Sequence, residues 1–385
     1  MSYRVLHIID CYLPETMNWM ERLWQRTANY CEHFIFAKYY IKDPNTVFYF
    51  INPQKSINYP IGILDKFKER LRFQSTVRKL KQSIIEQKIQ ILHFHFGHLA
   101  IEYRDLLQKL DIPFCVSLYG FDYEYLIHYK PETKQDYIEL ANLGGRFIVE
   151  GNYSANLIAS YGIPASKIFK VHMLFKIENG FSKPMFKTPI KLFQAATFTE
   201  KKNQIALVDA LKDRHIGKFQ ISFYGEQGDR NYYVNLLKAI DLKQKHGIRI
   251  QGLLPFNAYL KELSNSHFTI NLSKKSSAQD TEGGCPVLLK DSLSLARPVI
   301  TTAHCDIPDI IVNAYNGILL PEDDPEAVEC MLDSLLKFNQ KEYSQLCRNA
   351  LETVDINCSN NISAAELRSV SVSYTHLTLP TSDLV

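Results

Sequence analysis

The sequence has little net charge and lacks several motifs that would assign it to a simple functional class. Lysine and arginine number 44 and aspartate and glutamate 41, so a formal net charge of +3 does not by itself indicate nucleic acid binding. None of the eight cysteines forms a Cys-x-x-Cys pair or a zinc-spaced cluster with histidine. This usage favours buried, reduced thiols in a cytosolic protein.

Three further absences narrow the possible functional classes and the possible location of the protein. No Gly-x-Gly-x-x-Gly follows the first predicted strand, which argues against a dinucleotide-dependent oxidoreductase. No signal peptide and no apolar run long enough to cross a bilayer is evident, so a cytoplasmic protein is expected. With 385 residues, of which 46% are hydrophobic and 22% charged, the chain is long enough for two globular domains.

The most informative stretch is Asp280–Thr302, in which a Gly-Gly loop precedes an apolar helix and a buried strand. Pro286 suits the first helical turn, where no backbone donor is lost. The N-terminus of that helix would offer N–H groups and a positive dipole end to a phosphate. Glu282 lies just before this end and Asp291 about two turns into the helix. Carboxylates beside an anion site suit a ligand that carries both a diphosphate and hydroxyl groups, such as a sugar nucleotide.

This stretch resembles the donor-site signature of retaining glycosyltransferases of family 4, in which two glutamates are separated by seven residues. Aligning Pro298-Val299 on the family pattern places the second acid at Asp291, shortened from Glu to Asp. Glu282 is then one residue too far away, so the Gly-Gly loop carries one inserted residue. The resemblance implies that Glu282 lies near the sugar carbon as the catalytic residue and that Asp291 holds the ribose hydroxyls.

Other segments of the C-terminal half resemble the same family. Lys202 matches the lysine that grips the donor pyrophosphate, but Thr197 replaces the family's arginine, and Lys201 could only partly compensate as a flexible charge. Gly225 matches a glycine turn near the nucleotide. The donor-binding residues implied by the resemblance are Lys202, Thr197, Gly225, Gly283, Gly284, Cys285, Pro286, Val287 and Asp291.

Two segments of the N-terminal half resemble the family's acceptor side, and both lie where predicted strands end. His93-Phe94-His95-Phe96-Gly97 is similar to its His-x-His-Phe-Gly segment. Tyr119-Gly120-Phe121-Asp122 is similar to its His-Gly-x-Asp segment, except that Tyr119 replaces the histidine. The cleft residues implied on this side are His95, Gly97, Tyr119, Gly120 and Asp122.

The resemblance implies an α/β protein with the GT-B fold, in which two Rossmann-like domains face a cleft. We expect an acceptor-side domain over 1–182, a donor domain over 190–345 with the linker between them, and a truncated C-terminal helix over 346–371. The implied activity is retaining transfer of a sugar, in surface polysaccharide synthesis, from a nucleotide-sugar donor to a glycan or lipid-linked glycan. No cofactor or metal is expected, in agreement with the lack of an Asp-x-Asp pair, and no nucleic acid partner. A non-catalytic binder of sugar nucleotides or glycans and a nucleotide-sugar epimerase remain open as alternatives.

Two more segments carry predictions of their own. Leu64–Glu86 is a basic amphipathic helix or helix pair, whose Lys66–Lys81 could contact an anionic membrane on the inner face of the plasma membrane. A solvated face with an apolar stripe in the core is the alternative. Residues 372–385 contain VSYTHLTLPT, which resembles a translated sequencing-adaptor read-through, so they are left out of the fold prediction.

Overall fold

The structure is a computed structural model that describes residues 2–12, 18–40, 49–51, 63–177 and 184–359. These residues form two compact units. The first unit contains the described residues up to Val149 together with Ala155–Val171. The second contains Glu150–Ser154 and the described residues from His172 onward.

The first unit is built on a seven-stranded parallel sheet with the order β3-β2-β1-β4-β5-β6-β7. Its strands are β1 (Tyr3–Tyr12), β2 (Cys31–Tyr40), β3 (Tyr49–Ile51), β4 (Ile91–His95), β5 (Phe114–Ser117), β6 (Arg146–Val149) and β7 (Ile168–Lys170). The central strands β4, β5 and β6 are buried along their whole length, as expected for a parallel sheet covered on both faces.

Helices connect these strands and cover the sheet. They are α1 (Asn18–Thr27), α2 (Ile63–Glu86), α3 (Gly97–Glu102), α4 (Arg104–Leu107), α5 (Leu126–Tyr129), α6 (Thr133–Asn142) and α7 (Asn152–Ser160), with a π-helical turn at Phe121–Tyr125 and a 3₁₀ turn at Ala165–Lys167. The core contains Leu6, Phe36, Phe94, Val116 and Phe147, each at most 1% exposed. Apolar burial of this kind is the main force that holds helices against the sheet.

The second unit repeats the architecture with a six-stranded parallel sheet of order β10-β9-β8-β11-β12-β13. Its strands are β8 (Ile190–Ala195), β9 (Phe219–Tyr224), β10 (Ile248–Gln251), β11 (Phe268–Asn271), β12 (Val299–Thr302) and β13 (Gly317–Leu320). Relabelled within the unit, this order is 3-2-1-4-5-6, which is the order of a Rossmann fold. The order in which successive strands are added reverses between β8 and β11. In sheets of this type such a reversal creates a crevice at the carboxyl ends of the two strands, where ligands bind.

The helices of this unit are α8 (Gln204–Asp209), α9 (Arg230–Leu242), α10 (Phe256–Ser264), α11 (Val287–Ser294), α12 (Pro325–Leu335) and α13 (Gln340–Ser359). Short 3₁₀ turns lie at Glu200–Lys202, Asp213–His215, Gln244–His246 and Ile307–Asp309. Side chains of the strands and of α8 and α12 form its largest core, which includes Leu192, Ile221, Ile270, Ile300 and Leu332.

The predicted fold class, an α/β protein with two Rossmann-like parallel sheets, is confirmed. One helix prediction was wrong at its C-terminus. The sequence from Met17 to about Glu32 predicts a helix, but in the structure the helix ends at Thr27, and β2 begins at Cys31. The reason is that Phe34–Ala37 is a short continuous apolar run, for which periodicity cannot separate a strand from a helix. Pairing with β1 and β3 makes it a strand.

The basic segment predicted as a helix or a helix pair is the single helix α2. In the described part of the chain, the helices are all too short or too polar to cross a membrane. Residues 178–183 of the predicted linker lie outside the described residues, as do residues 360–371 of the predicted last helix and the whole of 372–385.

Candidate functional site

An ion pair joins two of the predicted donor-site residues at the carboxyl ends of β8 and β11. Lys202 lies in the 3₁₀ turn after β8, and Glu282 lies in the loop between β11 and α11. The Nζ atom of Lys202 is 2.6 and 2.7 Å from the two carboxylate oxygens of Glu282. The pair is largely buried, with side-chain exposures of 18% for Lys202 and 8% for Glu282. The structure therefore brings together the lysine predicted for the diphosphate and the carboxylate predicted for the sugar carbon.

Hydrogen bonds hold both the carboxylate and the backbone N–H of Glu282. The Ser273 hydroxyl donates to its carboxylate, and Asn271 Nδ2 donates to the Ser273 oxygen at 2.7 Å. The backbone N–H of Glu282 donates to His304 Nε2 at 3.2 Å. The other ring nitrogen of His304 lies 2.8 Å from a carboxylate oxygen of Glu322, so His304 accepts from Glu282 while it donates to Glu322. These contacts fix one orientation of the Glu282 carboxylate.

The surroundings of Glu282 keep its carboxylate ionised. Burial raises the pKa of this group, but the charges of Lys202 and Lys201 and the hydrogen bonds from Lys202 and Ser273 outweigh burial and lower the pKa to about 2. At neutral pH, Glu282 is therefore a fixed negative charge and has no proton to donate. It can stabilise positive charge that develops nearby, but it cannot act as a general acid.

A second ion pair lies beside the first. Lys201 Nζ is 2.9 Å from Oδ2 of Asp280 and donates to the carbonyl of Thr281 at 3.1 Å. Two ammonium groups thus lie next to each other in sequence, each opposed by a carboxylate from the same loop. An entering diphosphate would meet both positive charges but would have to compete with two carboxylates.

The Gly283–Cys285 loop precedes the helix N-terminus that was predicted to bind a phosphate, and a carboxylate of the protein already contacts this loop. Gly283 has φ 71°, a conformation that glycine adopts without strain. The Cys285 N–H donates to Oε2 of Glu150, a residue of the same unit, at 3.1 Å, and Lys290 Nζ contacts the same oxygen at 3.0 Å. A Cβ on Gly284 would lie 2.5 Å from the Glu150 carboxyl carbon. A phosphate at this amide would have to displace Glu150.

The predicted ribose residue Asp291 lies inside α11, with Pro286 at the N-cap and Val287 as the first helical residue. Asp291 is only 2% exposed, and the Tyr259 hydroxyl donates to its Oδ2 at 3.1 Å. Tyr259 comes from α10. A ribose hydroxyl that binds Asp291 must therefore reach a buried carboxylate that already accepts one hydrogen bond from a tyrosine.

Gly225 is required by a close approach of two chain segments. It follows β9, and its N–H donates to the carbonyl of Gln251 at 3.1 Å. A Cβ at this position would lie 2.0 Å from the carbonyl oxygen of Ala196, so no other residue fits without a backbone shift. Thr197, at the position of the missing arginine, follows Ala196, and its own carbonyl accepts from Gln204 Nε2 at 3.3 Å.

The five predicted acceptor-side residues lie together at the carboxyl ends of β4 and β5 in the first unit. His95 Nδ1 is 3.0 Å from the Tyr119 hydroxyl. The Asp122 carboxylate accepts from the N–H groups of Gly97 at 2.8 Å and Tyr119 at 2.9 Å, and Gly120 lies between Tyr119 and Asp122 in the chain. Burial raises the pKa of Asp122 to about 6, against the lowering effect of these backbone hydrogen bonds. Asp122 thus joins the two loops and orients Tyr119.

Several residues of the site were not predicted from the sequence. Ser273 and Asn271 support Glu282, Tyr259 contacts Asp291, and Glu150 pairs with Lys290. Only Asn271 and Ser273 carried a usable signal, because they come at the carboxyl end of a buried strand, where parallel sheets bind ligands.

Comparison with known proteins agrees with this fold. Residues 176–353 match the family model of glycosyl transferases group 1. WcaL of Escherichia coli K12, whose name describes a glycosyltransferase of colanic acid biosynthesis, is 24% identical over 252 residues, or 64% of this chain and 60% of its own length. The amylovoran biosynthesis glycosyltransferase AmsK of Erwinia amylovora is 25% identical over 66% of this chain and 62% of its own length.

Among solved structures, Anabaena HepE in complex with UDP and glucose has a TM-score of 0.72 at 12% identity, and the match covers 97% of this chain and 99% of HepE. The two curated relatives align over about three fifths of their own lengths. The solved structure supports the GT-B fold, and the family model shows that residues 176–353 are similar to glycosyl transferases group 1.

Proposed function

We propose that this protein transfers a sugar from a nucleotide-sugar donor to a glycan or lipid-linked glycan, with retention of configuration, in the synthesis of a surface polysaccharide. The observation that carries the proposal is the buried ion pair between Lys202 and Glu282 at the carboxyl ends of β8 and β11. The names of the curated relatives, which refer to colanic acid and amylovoran synthesis, support the polysaccharide context.

The chemistry of this pair suits departure of a nucleoside diphosphate from a sugar. Negative charge grows on the leaving diphosphate, and Lys202 and Lys201 would stabilise it at short range. Positive charge grows at the sugar carbon as the bond breaks, and the ionised Glu282 would stabilise it. In this proposal the two lysines supply the positive charge, so no metal is required. Asp291 would accept hydrogen bonds from the ribose hydroxyls once the Tyr259 hydroxyl no longer donates to its Oδ2 atom.

The acceptor would bind the first unit, at the loops that Asp122 joins. Tyr119 would meet a sugar hydroxyl there, since it is the partly exposed member of this group. A lipid-linked acceptor is compatible with contact between the basic helix α2 and an anionic membrane surface, because basic helices are attracted to anionic headgroups.

Release of nucleoside diphosphate tests the proposal. The purified full-length protein is incubated with a panel of nucleotide sugars, with and without extracted lipid-linked glycans. We expect release that depends on the acceptor and is lost in Lys202→Met. A change of the sugar without release would favour an epimerase. Binding of a nucleotide sugar without either reaction would favour a non-catalytic binder.

A further inference from the structure

The chain segments that follow β12 and β13 meet the loop that carries Glu282. His304 lies two residues after β12, and Glu322 lies two residues after β13. Their side chains are 3% and 34% exposed, so the histidine is buried and the carboxylate is partly accessible. Neither residue is among the donor-binding residues that the sequence predicts. The direction of their hydrogen bonds shows how they act on Glu282.

The backbone N–H of Glu282 fixes the tautomer of His304. This N–H group lies 3.2 Å from His304 Nε2. A backbone N–H can only donate, so Nε2 must be the acceptor nitrogen of a neutral imidazole. The ring proton is therefore on Nδ1, which lies 2.8 Å from Oε2 of Glu322. Glu322 accepts the hydrogen bond from Nδ1–H and so keeps the proton on that nitrogen.

Glu322 is itself held by the loop that leads to Glu282. Its second oxygen, Oε1, accepts from the backbone N–H of Lys275 at 2.7 Å. One carboxylate oxygen thus binds the loop after β11, and the other binds His304. Because two different segments hold the carboxylate, its orientation toward the imidazole is set by the fold.

The segment after β12 makes a second contact, to the residue that follows Glu282. The N–H of Asp306 donates to the carbonyl of Gly283 at 3.2 Å. Lys202 contacts the carboxylate of Glu282, whereas His304 and Asp306 hold the backbone that carries this side chain. Loss of the backbone contact would therefore allow the carboxylate to move.

We propose that His304 and Glu322 are positioning residues for sugar transfer. Glu322 keeps the His304 proton on Nδ1, and His304 Nε2 then holds the backbone of Glu282 so that its carboxylate stays at the donor site. Accurate placement is required, because a displacement of about 1 Å can slow an enzymatic step roughly a hundredfold. That Glu282 is positioned for sugar transfer rests on the proposed function, whereas the tautomer of His304 does not.

A purely structural role of the buried His304 is the competing interpretation. The two interpretations differ in the sign of one effect. If His304 positions Glu282, its loss weakens the hold of this carboxylate on Lys202, and a nucleoside diphosphate should bind more tightly. If its loss only damages the second unit, the diphosphate should bind more weakly.

The first test is the tautomer of His304, measured by ¹⁵N NMR of the full-length protein at neutral pH. We expect the proton on Nδ1. Glu322→Leu removes the acceptor of this proton, so the form protonated on Nε2 should appear. Asp323→Leu is the matched control, because Asp323 contacts Lys274 and should leave the wild-type pattern. A proton on Nε2 in the wild type, or an unchanged tautomer in Glu322→Leu, would overturn the proposal.

The second test compares two replacements of His304 in a transfer assay. Glutamine carries a carbonyl oxygen that can accept from the Glu282 N–H, and leucine carries no acceptor. His304→Leu should lower kcat about tenfold to a hundredfold with little change in KM for the donor, because Glu282 acts on charge that develops in the transition state. His304→Gln should recover most of the turnover. Equal losses in the two folded variants would contradict positioning by His304.

Calorimetry with UDP and with GDP is the third test. His304→Leu should bind the diphosphate roughly threefold to tenfold more tightly than the wild type, and His304→Gln should bind it as the wild type does. Added to Glu282→Gln, the leucine variant should have little further effect, because the positioned charge is already absent. Weaker binding in His304→Leu would overturn the proposal. Lack of transfer in the wild type would refute the proposed function, and the tautomer and the affinities would still decide the role of His304.

Discussion

Replacing Glu282 by glutamine should tighten the binding of a nucleoside diphosphate while it slows transfer. In the structure, both carboxylate oxygens of Glu282 contact the Lys202 ammonium, so an arriving diphosphate must compete for that charge. Glutamine keeps the size and polarity of the side chain but cannot hold Lys202 by charge. Lys202 then becomes available to the diphosphate, and repulsion between two anions is removed.

The magnitude follows from the pKa of Glu282. Its decrease from 4.5 to about 2 corresponds to a net stabilisation of the carboxylate of roughly 3 kcal/mol. The charge of Lys202 is the largest of the lowering causes. If about half of this energy is recovered on binding, the affinity should increase roughly tenfold. Turnover should fall in the same variant, because an interaction with charge that develops at the sugar carbon is lost.

Calorimetry with UDP and with GDP, at low and high salt, measures the binding effect, and a transfer assay measures turnover. Asp280→Asn is the matched control. It frees the neighbouring Lys201, but the Asp280 side chain is 33% exposed, so solvent screens this pair and the change in affinity should be smaller. Unchanged or weaker diphosphate binding in Glu282→Gln, with the fold retained, would refute the competition between Glu282 and the diphosphate.

Three further outcomes are expected. Asp291→Ala should weaken nucleotide binding about tenfold to a hundredfold, the effect of a charge-assisted hydrogen bond from a ribose hydroxyl, whereas unchanged calorimetric affinity would exclude this contact. Because the fold lowers the pKa of Glu282 to about 2, the ionised Glu282 carboxylate stabilises the fold above about pH 4.5. This contribution of roughly 3 kcal/mol is lost as the pH falls toward 2. Acid unfolding should therefore depend less on pH in Glu282→Gln than in the wild type. If Lys66–Lys81 binds anionic vesicles, salt should release the protein and reversal of Arg78 and Lys79, together with Arg70 and Arg72, to glutamate should abolish binding in a sedimentation assay.

Strand positions were the part of the fold that the sequence predicted best, since buried parallel strands are short apolar runs between turn residues. The apolar runs Phe219–Tyr224, Ile248–Gln251 and Val299–Thr302 each predict a strand from the sequence, and the strands of the structure have these bounds. β2 was not predicted, because its apolar run follows a helix without a strong turn signal. Its neighbours β1 and β3 define it, and pairing between distant segments is not visible in a local pattern.

The candidate site was predictable only in part for the same reason. The resemblance to the glycosyltransferase family predicted that Lys202 and Glu282 belong to one donor site. The contact between their charges could not be predicted, because it depends on the conformation of two loops. Nor could the sequence indicate that Glu150 lies against the Gly283–Cys285 loop.

Retaining sugar transfer is tested most directly by NMR analysis of the product formed from a nucleotide sugar and a lipid-linked glycan acceptor. We expect a new glycosidic bond with the same anomeric configuration as the donor, and no such product from the Lys202→Met variant. An inverted linkage would contradict retention. A donor that is epimerised, or that remains intact with a competent acceptor present, would contradict sugar transfer itself.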